Sequence, residues 1–288
     1  KNNTSILIRA VVGLLILALL LSIVDLNKMI QAMSSIHFKW GIAAAFCIIF
    51  ATSLGAFNAY LLLNRQNSLL WTNFLPIYWL AWAVSLVTPG QIGDLAIIST
   101  SLKKQNIDWH LSLGRSLLDK AISFTIMAIL AVIGLYFTSR KYIGFEQSSI
   151  LMLEIFMSIV LILYLLRFKL TVFFSPELGG VRGLLGQTIQ EAKVTIYHHP
   201  ARILINIVLT TIKIFLIGAS YWCIFKGLGA GNIELIETVA LAAASSLVAY
   251  IPISFNGIGT VEASGLVLFS QIGLSTSSIL AGYLGLRL

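Results

Sequence analysis

The sequence predicts an all-α polytopic membrane protein built as an inverted-topology repeat, each half holding transmembrane helices and one re-entrant helical hairpin. Three observations carry that expectation. Of the residues, 58% are hydrophobic and 10% charged, with mean hydropathy +0.93, outside the range of soluble globular chains. Apolar runs long enough to cross a bilayer recur along the chain. Two runs are interrupted by matched stretches, Thr88-Pro89-Gly90-Gln91-Ile92-Gly93-Asp94 and Pro252-Ile253-Ser254-Phe255-Asn256-Gly257-Ile258-Gly259-Thr260-Val261-Glu262. Proline removes a backbone donor and glycine admits the conformations that end a helix. Inside hydrocarbon such breaks survive only in protein or beside a wet cavity, so two of them predict a binding site between them.

About 20 apolar residues span a core roughly 30 Å thick. Five stretches qualify: 6–24, 40–63, 112–137, 149–166 and 201–226. The first follows Lys1 and Arg9 as a signal peptide would, yet it ends at Asp25 without a small-residue cleavage site, so it reads as a transmembrane helix. Leu69 to Val87 is apolar but runs into the first break, and Leu95 to Leu102 is too short to cross before Lys103 and Lys104. Both arms fit a hairpin that enters and leaves on one side. Leu235 to Ile251 and Val261 to Phe269 repeat that shape around the second break. The polar segment Arg167 to Pro200 sets Val181, Leu184, Leu185, Ile189 and Ile196 opposite Arg182, Gln190 and Lys193, as an interfacial helix would. The last run, Ser275 to Leu288, is too short to span and reads as a helix cut by the end of the chain.

A shift of 166 residues pairs Ile92-Gly93 with Ile258-Gly259 and Gln105 with Gln271, and one further gap pairs Lys120 with Arg287. The chain therefore reads as one transmembrane domain, 1–288, with halves at about 1–137 and 149–288. An odd number of crossings in each half makes the second copy inverted. With a cytoplasmic N-terminus, Lys1, Arg65, Lys103, Lys104, Arg167, Lys169, Arg182, Lys193 and Arg202 lie inside, and Lys28, Lys39, Arg140, Lys141 and Lys226 outside. That is the direction of the positive-inside bias. The two broken tips then meet near the midplane of the cell membrane.

The net charge of +8 does not indicate nucleic acid, because the cations sit at the ends of apolar segments rather than in a basic tract interleaved with aromatics. Cys47 and Cys223 lie inside apolar segments and suggest neither a disulfide framework nor a zinc site. His37, His110, His198 and His199 fall in loops or at helix ends without a metal-ligand spacing. There is no P-loop, nucleophile elbow or zinc helix, and no cofactor is expected.

The short helix after each break aims free amides and a positive dipole end at the membrane centre, which suits a phosphate or carboxylate. The alternative is that Asp94 and Glu262 cap their own helices. Lys213 falls mid-span, where a lysine is costly unless wet or paired, as a counter-ion to Asp94, Glu262 or a ligand phosphate, or in a structural ion pair. Arg115 and Asp119 stand at i, i+4 and form either a local pair or, with Lys120, part of the site. Glu154 reads as interfacial. Trp40, Trp71 and Trp109 read as interfacial anchors, whereas Trp79 and Trp82 are packing residues or line an acyl-chain groove.

Ser85-Leu-Val-Thr-Pro-Gly-Gln-Ile-Gly-Asp94, Leu117-Leu118-Asp119-Lys120, Pro252 through Ala263 and Gly273-Leu274-Ser275 resemble the transmembrane flippase region of bacterial lysylphosphatidylglycerol synthases and its stand-alone relatives. The likeness covers nearly the whole chain. It implies a lipid flippase with two re-entrant hairpins, whose lipid route is lined or shaped by Pro89, Gly90, Gly93, Asp94, Asp119, Lys120, Gly257, Gly259 and Glu262. Gln91 stands where the family often has a basic or small residue, and Lys120 where it often has arginine. The soluble aminoacyl-transfer domain of the full synthases is not within these residues, so they are not expected to make an aminoacylated lipid.

The expected substrate is a membrane lipid with an anionic phosphate, either aminoacylated phosphatidylglycerol, another phospholipid or a polyprenyl phosphate. With no ATP motif, movement is downhill or ion-coupled, and Asp94 and Glu262 are the carboxylates suspected of titrating. Two other readings stand beside it: an integral-membrane enzyme using Asp94, Asp119 and Glu262 as acid or base, and a scaffold that does not transport. A homo-oligomer is compatible with each.

Overall fold

The computed structural model describes residues 15–22 except 17, 26–34, 36–64, 69–86, 88, 93–142, 180–230, 233–251, 254 and 256–287, with the side chains of 26, 28, 32, 137–142 and 181–185 excepted. Every element among them is helical. The chain is a helical membrane protein. The expected spans at 6–24 and 149–166, Glu154 and the break residues Pro89 and Gly90 lie outside the described residues, wholly or, for 6–24, in large part.

In chain order the helices are α1 (Leu26–Ser34), α2 (Phe38–Leu63), α3 (Trp71–Leu86), α4 (Gly93–Lys103), α5 (Trp109–Tyr142), α6 (Gly180–His198), α7 (Pro200–Gly227), α8 (Leu235–Leu247), α9 (Thr260–Ser270) and α10 (Thr276–Arg287). A single 3₁₀ turn, Val248–Tyr250, continues α8. Among the described residues α2, α5 and α7 are long and apolar enough to cross a membrane. At about 1.5 Å per residue the 26 residues of α2 measure about 39 Å, while the 11 of α4 or α9 measure about 16 Å, half of the roughly 30 Å core.

α2 and α7 pack along one another more extensively than any other pair. They are antiparallel. The His37 N–H before α2 donates to Gly227 O at the end of α7 (3.3 Å), and Arg202 at the start of α7 donates from Nη1 to Leu61 O at the end of α2 (3.3 Å). α3 folds back on α4, and α8 on α9, through the two breaks. α8 is alanine-rich, which lets it approach its neighbours closely: Gly134 of α5 faces Ala240, and a Cβ on Gly218 of α7 would fall 2.6 Å from Val239 Cα. Small residues are how helices pack tightly where lipid offers no hydrophobic drive.

The same local structure occurs in both hairpins and the helices after them. α4 ends with Ile107 N–H donating to Leu102 O (3.1 Å) around the left-handed Asn106 (φ 61°), and α9 with Leu274 N–H donating to Phe269 O (3.4 Å) around Gly273 (φ 84°). α5 then starts on Asp108, whose Oδ1 accepts from His110 N–H (2.9 Å), and α10 on Ser275, whose Oγ accepts from Ser278 N–H (3.2 Å). Each hairpin also has an apolar core of its own. Leu63, Phe74, Ala81, Ile98 and Leu102 fill the first; Phe225, Leu241, Phe269, Ile279 and Tyr283 fill the second. Outward-facing residues such as Phe46, Ile129, Leu204 and Val267 are exposed, as a lipid-facing surface requires.

α6 departs from its expected face. Thr188 and Thr195 are its buried side, with Thr188 O close to Gly114 of α5, while Ile196 is exposed. Gly114 of α5 lets the α6 backbone come close, since a Cβ there would fall 2.6 Å from Thr188 O.

Candidate functional site

The first break is closed by Thr88. Its hydroxyl accepts from Gly93 N–H (3.0 Å) and lies on Ser85 O (3.2 Å), capping α4 and tying it to α3. A Cβ on Gly93 would fall 2.5 Å from Thr88 Oγ1, so the turn needs glycine. In the second break Gly259 has φ 81°, a conformation for glycine, and its N–H donates to Glu262 Oε2 (2.7 Å). The breaks touch: Asn256 N–H donates to Thr88 O (3.2 Å).

Each short helix begins with a carboxylate, and each carboxylate is paired with a cation on the helix that follows. Asp94 Oδ2 lies 2.8 Å from Lys120 Nζ, and Glu262 Oε1 lies 2.6 Å from Arg287 Nε. Asp94 Oδ1 accepts from Leu95 N–H (2.7 Å). Among the described residues, Gly93 N–H is taken by Thr88, Leu95 N–H by Asp94, Gly259 N–H by Glu262 and Val261 N–H by Gly257 O (2.8 Å). Glu262 thus caps its own helix, as the self-capping alternative expects, and Asp94 binds the amide next to it. Lys213 serves as counter-ion to neither Asp94 nor Glu262, since each has its own partner.

A cavity of about 270 Å³ is walled by α2, α3, α5, α7 and α8, with Asp94 at the first break and Asn256 at the second. Of the expected site residues, Asp94, Asp119, Lys120 and Lys213 line it, together with Asn256 of the second break. Lys213 Nζ is 3.4 Å from Ser123 Oγ, and among the described residues no carboxylate lies within 4.0 Å of it. Lys120 also lies 6.0 Å from the ring centroid of Tyr250. Trp82 lines the cavity, and Trp79 packs against it edge-on at 5.6 Å.

Gly93, Arg115, Gly257, Gly259 and Glu262 are not in the cavity wall. They hold it in shape. Glu262 is fully buried against α10. Arg115 does not pair with Asp119 along the helix; its Nη1 donates to Leu62 O and Leu63 O (3.0 and 3.3 Å), closing the C-terminus of α2. A long guanidinium reaches those last carbonyls and the negative end of the α2 dipole.

Asp119 is held instead by two carboxamides. Asn206 Nδ2 of α7 donates to its Oδ1 at 2.7 Å and Asn58 Nδ2 of α2 at 3.1 Å. Neither asparagine was singled out in the sequence. An uncharged polar side chain in mid-span is the signal that could have found them, because buried amides in lipid need partners. Ser123, Tyr78 and Tyr250 were missed likewise, and Thr88 and Asn256 were named only as parts of the two breaks.

A model of the family described as the lysylphosphatidylglycerol synthase TM region matches residues 6–288. The chain belongs to that family. No curated protein and no solved structure matches it. As a lysylphosphatidylglycerol synthase TM-region protein, the chain has a membrane, lipid-related role, and its cavity of about 270 Å³ gathers Asp94, Asp119, Lys120 and Lys213 among apolar helices.

Proposed function

We propose that this lysylphosphatidylglycerol synthase TM-region protein is a lipid translocator and not an enzyme. It receives a phosphate headgroup in the cavity between its halves while the acyl chains stay in the bilayer. One observation carries the reading: a single cavity is walled by both broken hairpins and by the long helices α2, α5 and α7, and holds Lys213, a cation without a carboxylate partner among the described residues. Phosphate oxygens would replace Ser123 at Lys213, and the hydroxyls of Ser123, Ser246 and Tyr250 would supply further donors.

The inverted repeat is part of the proposal. Its support is that α2 and α7, the helices before the two hairpins, lie antiparallel, and that the carboxylate and cation pair recurs in each half. The short helices α4 and α9 support re-entrant hairpins, being too short to cross. Transport then consists of separating the touching tips on one side and closing them on the other. We place the chain in the cell membrane, multi-pass, with a cytoplasmic N-terminus.

The test is reconstitution of the purified protein with headgroup-labelled lipids, comparing a phosphatidylglycerol derivative with a polyprenyl phosphate. Translocation of at least one above protein-free vesicles supports the reading, and names the cargo class. Movement of neither by folded protein refutes it.

A further inference from the structure

Asp119, Asn58, Asn206 and Thr210 form a buried polar cluster where α2, α5 and α7 meet at the cavity wall. Its oxygens outnumber what its hydrogens can serve. Asn58 Nδ2 has three acceptors for two hydrogens: Asp119 Oδ1 at 3.1 Å, Thr210 Oγ1 at 2.9 Å and Asn206 O at 3.5 Å. Asn58 and Asn206 are each 1% exposed, and among the described residues the carboxamide oxygen of each has no hydrogen-bond partner. Buried amide oxygens without donors are uncommon and ask for an explanation.

We propose that this cluster is a site for a monovalent alkali cation of the Na⁺ class, bound by the Asp119 carboxylate, the Asn58 and Asn206 carboxamide oxygens, Thr210 Oγ1 and Asn206 O. The ligand atoms are all oxygen, which selects a hard cation. They carry one negative charge in total, which suits a monovalent ion. A carboxamide presents nitrogen or oxygen according to its rotation about χ2. With the amide nitrogens turned in, as here, the carboxylate is satisfied without an ion; with the oxygens turned in, the cluster needs one. Asp94, the neighbouring carboxylate, is committed to Lys120, and Lys213 is directed to Ser123, so neither cation competes for Asp119 at ion-pair distance. The half-buried Asp119 faces the cavity, which gives the ion its way in.

The site spans helices of both halves, so its occupancy would bias how they pack. It gives the proposed translocator a coupling ion. For that role the inference rests on the transport reading, but the binding itself does not.

The test therefore uses the full chain in detergent without lipid substrate. Thermal unfolding is followed in NaCl, KCl and choline chloride at equal ionic strength, with the wild type and Asp119→Asn. The expected result is a melting temperature that rises and saturates with Na⁺, rises less with K⁺ and not with choline, and a response that is lost in Asp119→Asn. Should that variant not fold, displacement of radioactive ²²Na⁺ from the wild type by excess Na⁺, but not choline, decides in its place. No Na⁺ response in the wild type, a response shared by choline, or one that persists in folded Asp119→Asn overturns the proposal. If the ion binds and no lipid moves, the transport reading alone fails.

Discussion

Asn256 N–H donates to Thr88 O across 3.2 Å, so the backbone of one helix break is bonded to the backbone of the other. Neither residue contributes a charge. The bond joins the two hairpins beside the cavity, and in the proposed translocation a headgroup passing between them would break it.

Cysteines at these two positions are expected to cross-link on oxidation. In Thr88→Cys/Asn256→Cys protein, lipid translocation should fall at least tenfold when the cross-link forms and return on reduction, read in the same vesicles before and after reductant. Unchanged translocation in fully cross-linked protein would show that the tips do not separate.

Gly93 and Gly259 are constrained differently. A side chain on Gly93 meets the Thr88 hydroxyl, which can rotate away only by releasing Gly93 N–H and Ser85 O. At Gly259 the backbone itself is unfavourable for other residues, at about 1–3 kcal/mol. Gly259→Ala should therefore lower the melting temperature more than Gly93→Ala, and Gly93→Leu should insert into the membrane yet fail to transport.

The two ion pairs should also separate in stability. Glu262 is fully buried, whereas Asp94 and Lys120 are each partly exposed to the cavity. Arg287 is 28% exposed, so the loss of Glu262 leaves a guanidinium that water partly reaches, and the cost falls below the roughly 3–5 kcal/mol of a pair buried on both sides. Glu262→Gln is expected to destabilise markedly and Asp94→Asn only slightly, measured as unfolding temperature in one detergent, with Asp94→Asn showing its larger effect in transport.

Lys213 predicts the reverse pattern. Its ammonium sits in mid-span at a cost of several kcal/mol, with one hydroxyl as its hydrogen-bond partner. Lys213→Ala should leave the melting temperature unchanged or raise it. A large drop would assign the lysine to structure and not to substrate.

The breaks were legible in the sequence because each sets proline together with paired glycines inside an apolar run, whereas the lone Pro76 leaves α3 unbroken. The sequence pairing of Lys120 with Arg287, which takes one further gap beyond the 166-residue shift, falls on two cations that each lie beside a helix-start carboxylate, and this supports the proposed repeat. What escaped was the fate of each charge. Arg115 and Asp119 share a helix face, but spacing does not say that the end of α2 lies nearer to the guanidinium. Asn58 and Asn206 carry no charge and passed as ordinary span residues, although they hold the one carboxylate of the cavity that has no cation at ion-pair distance among the described residues. Sequence distance conceals that α2 and α7 meet.

The most direct measurement is quench-detected translocation of a labelled phosphate lipid by reconstituted wild type and Lys213→Ala, side by side. Movement by the wild type, reduced at least tenfold in an equally stable mutant, is the predicted result. Equal movement by both proteins would contradict the account, since the headgroup would then cross without the cation assigned to hold it.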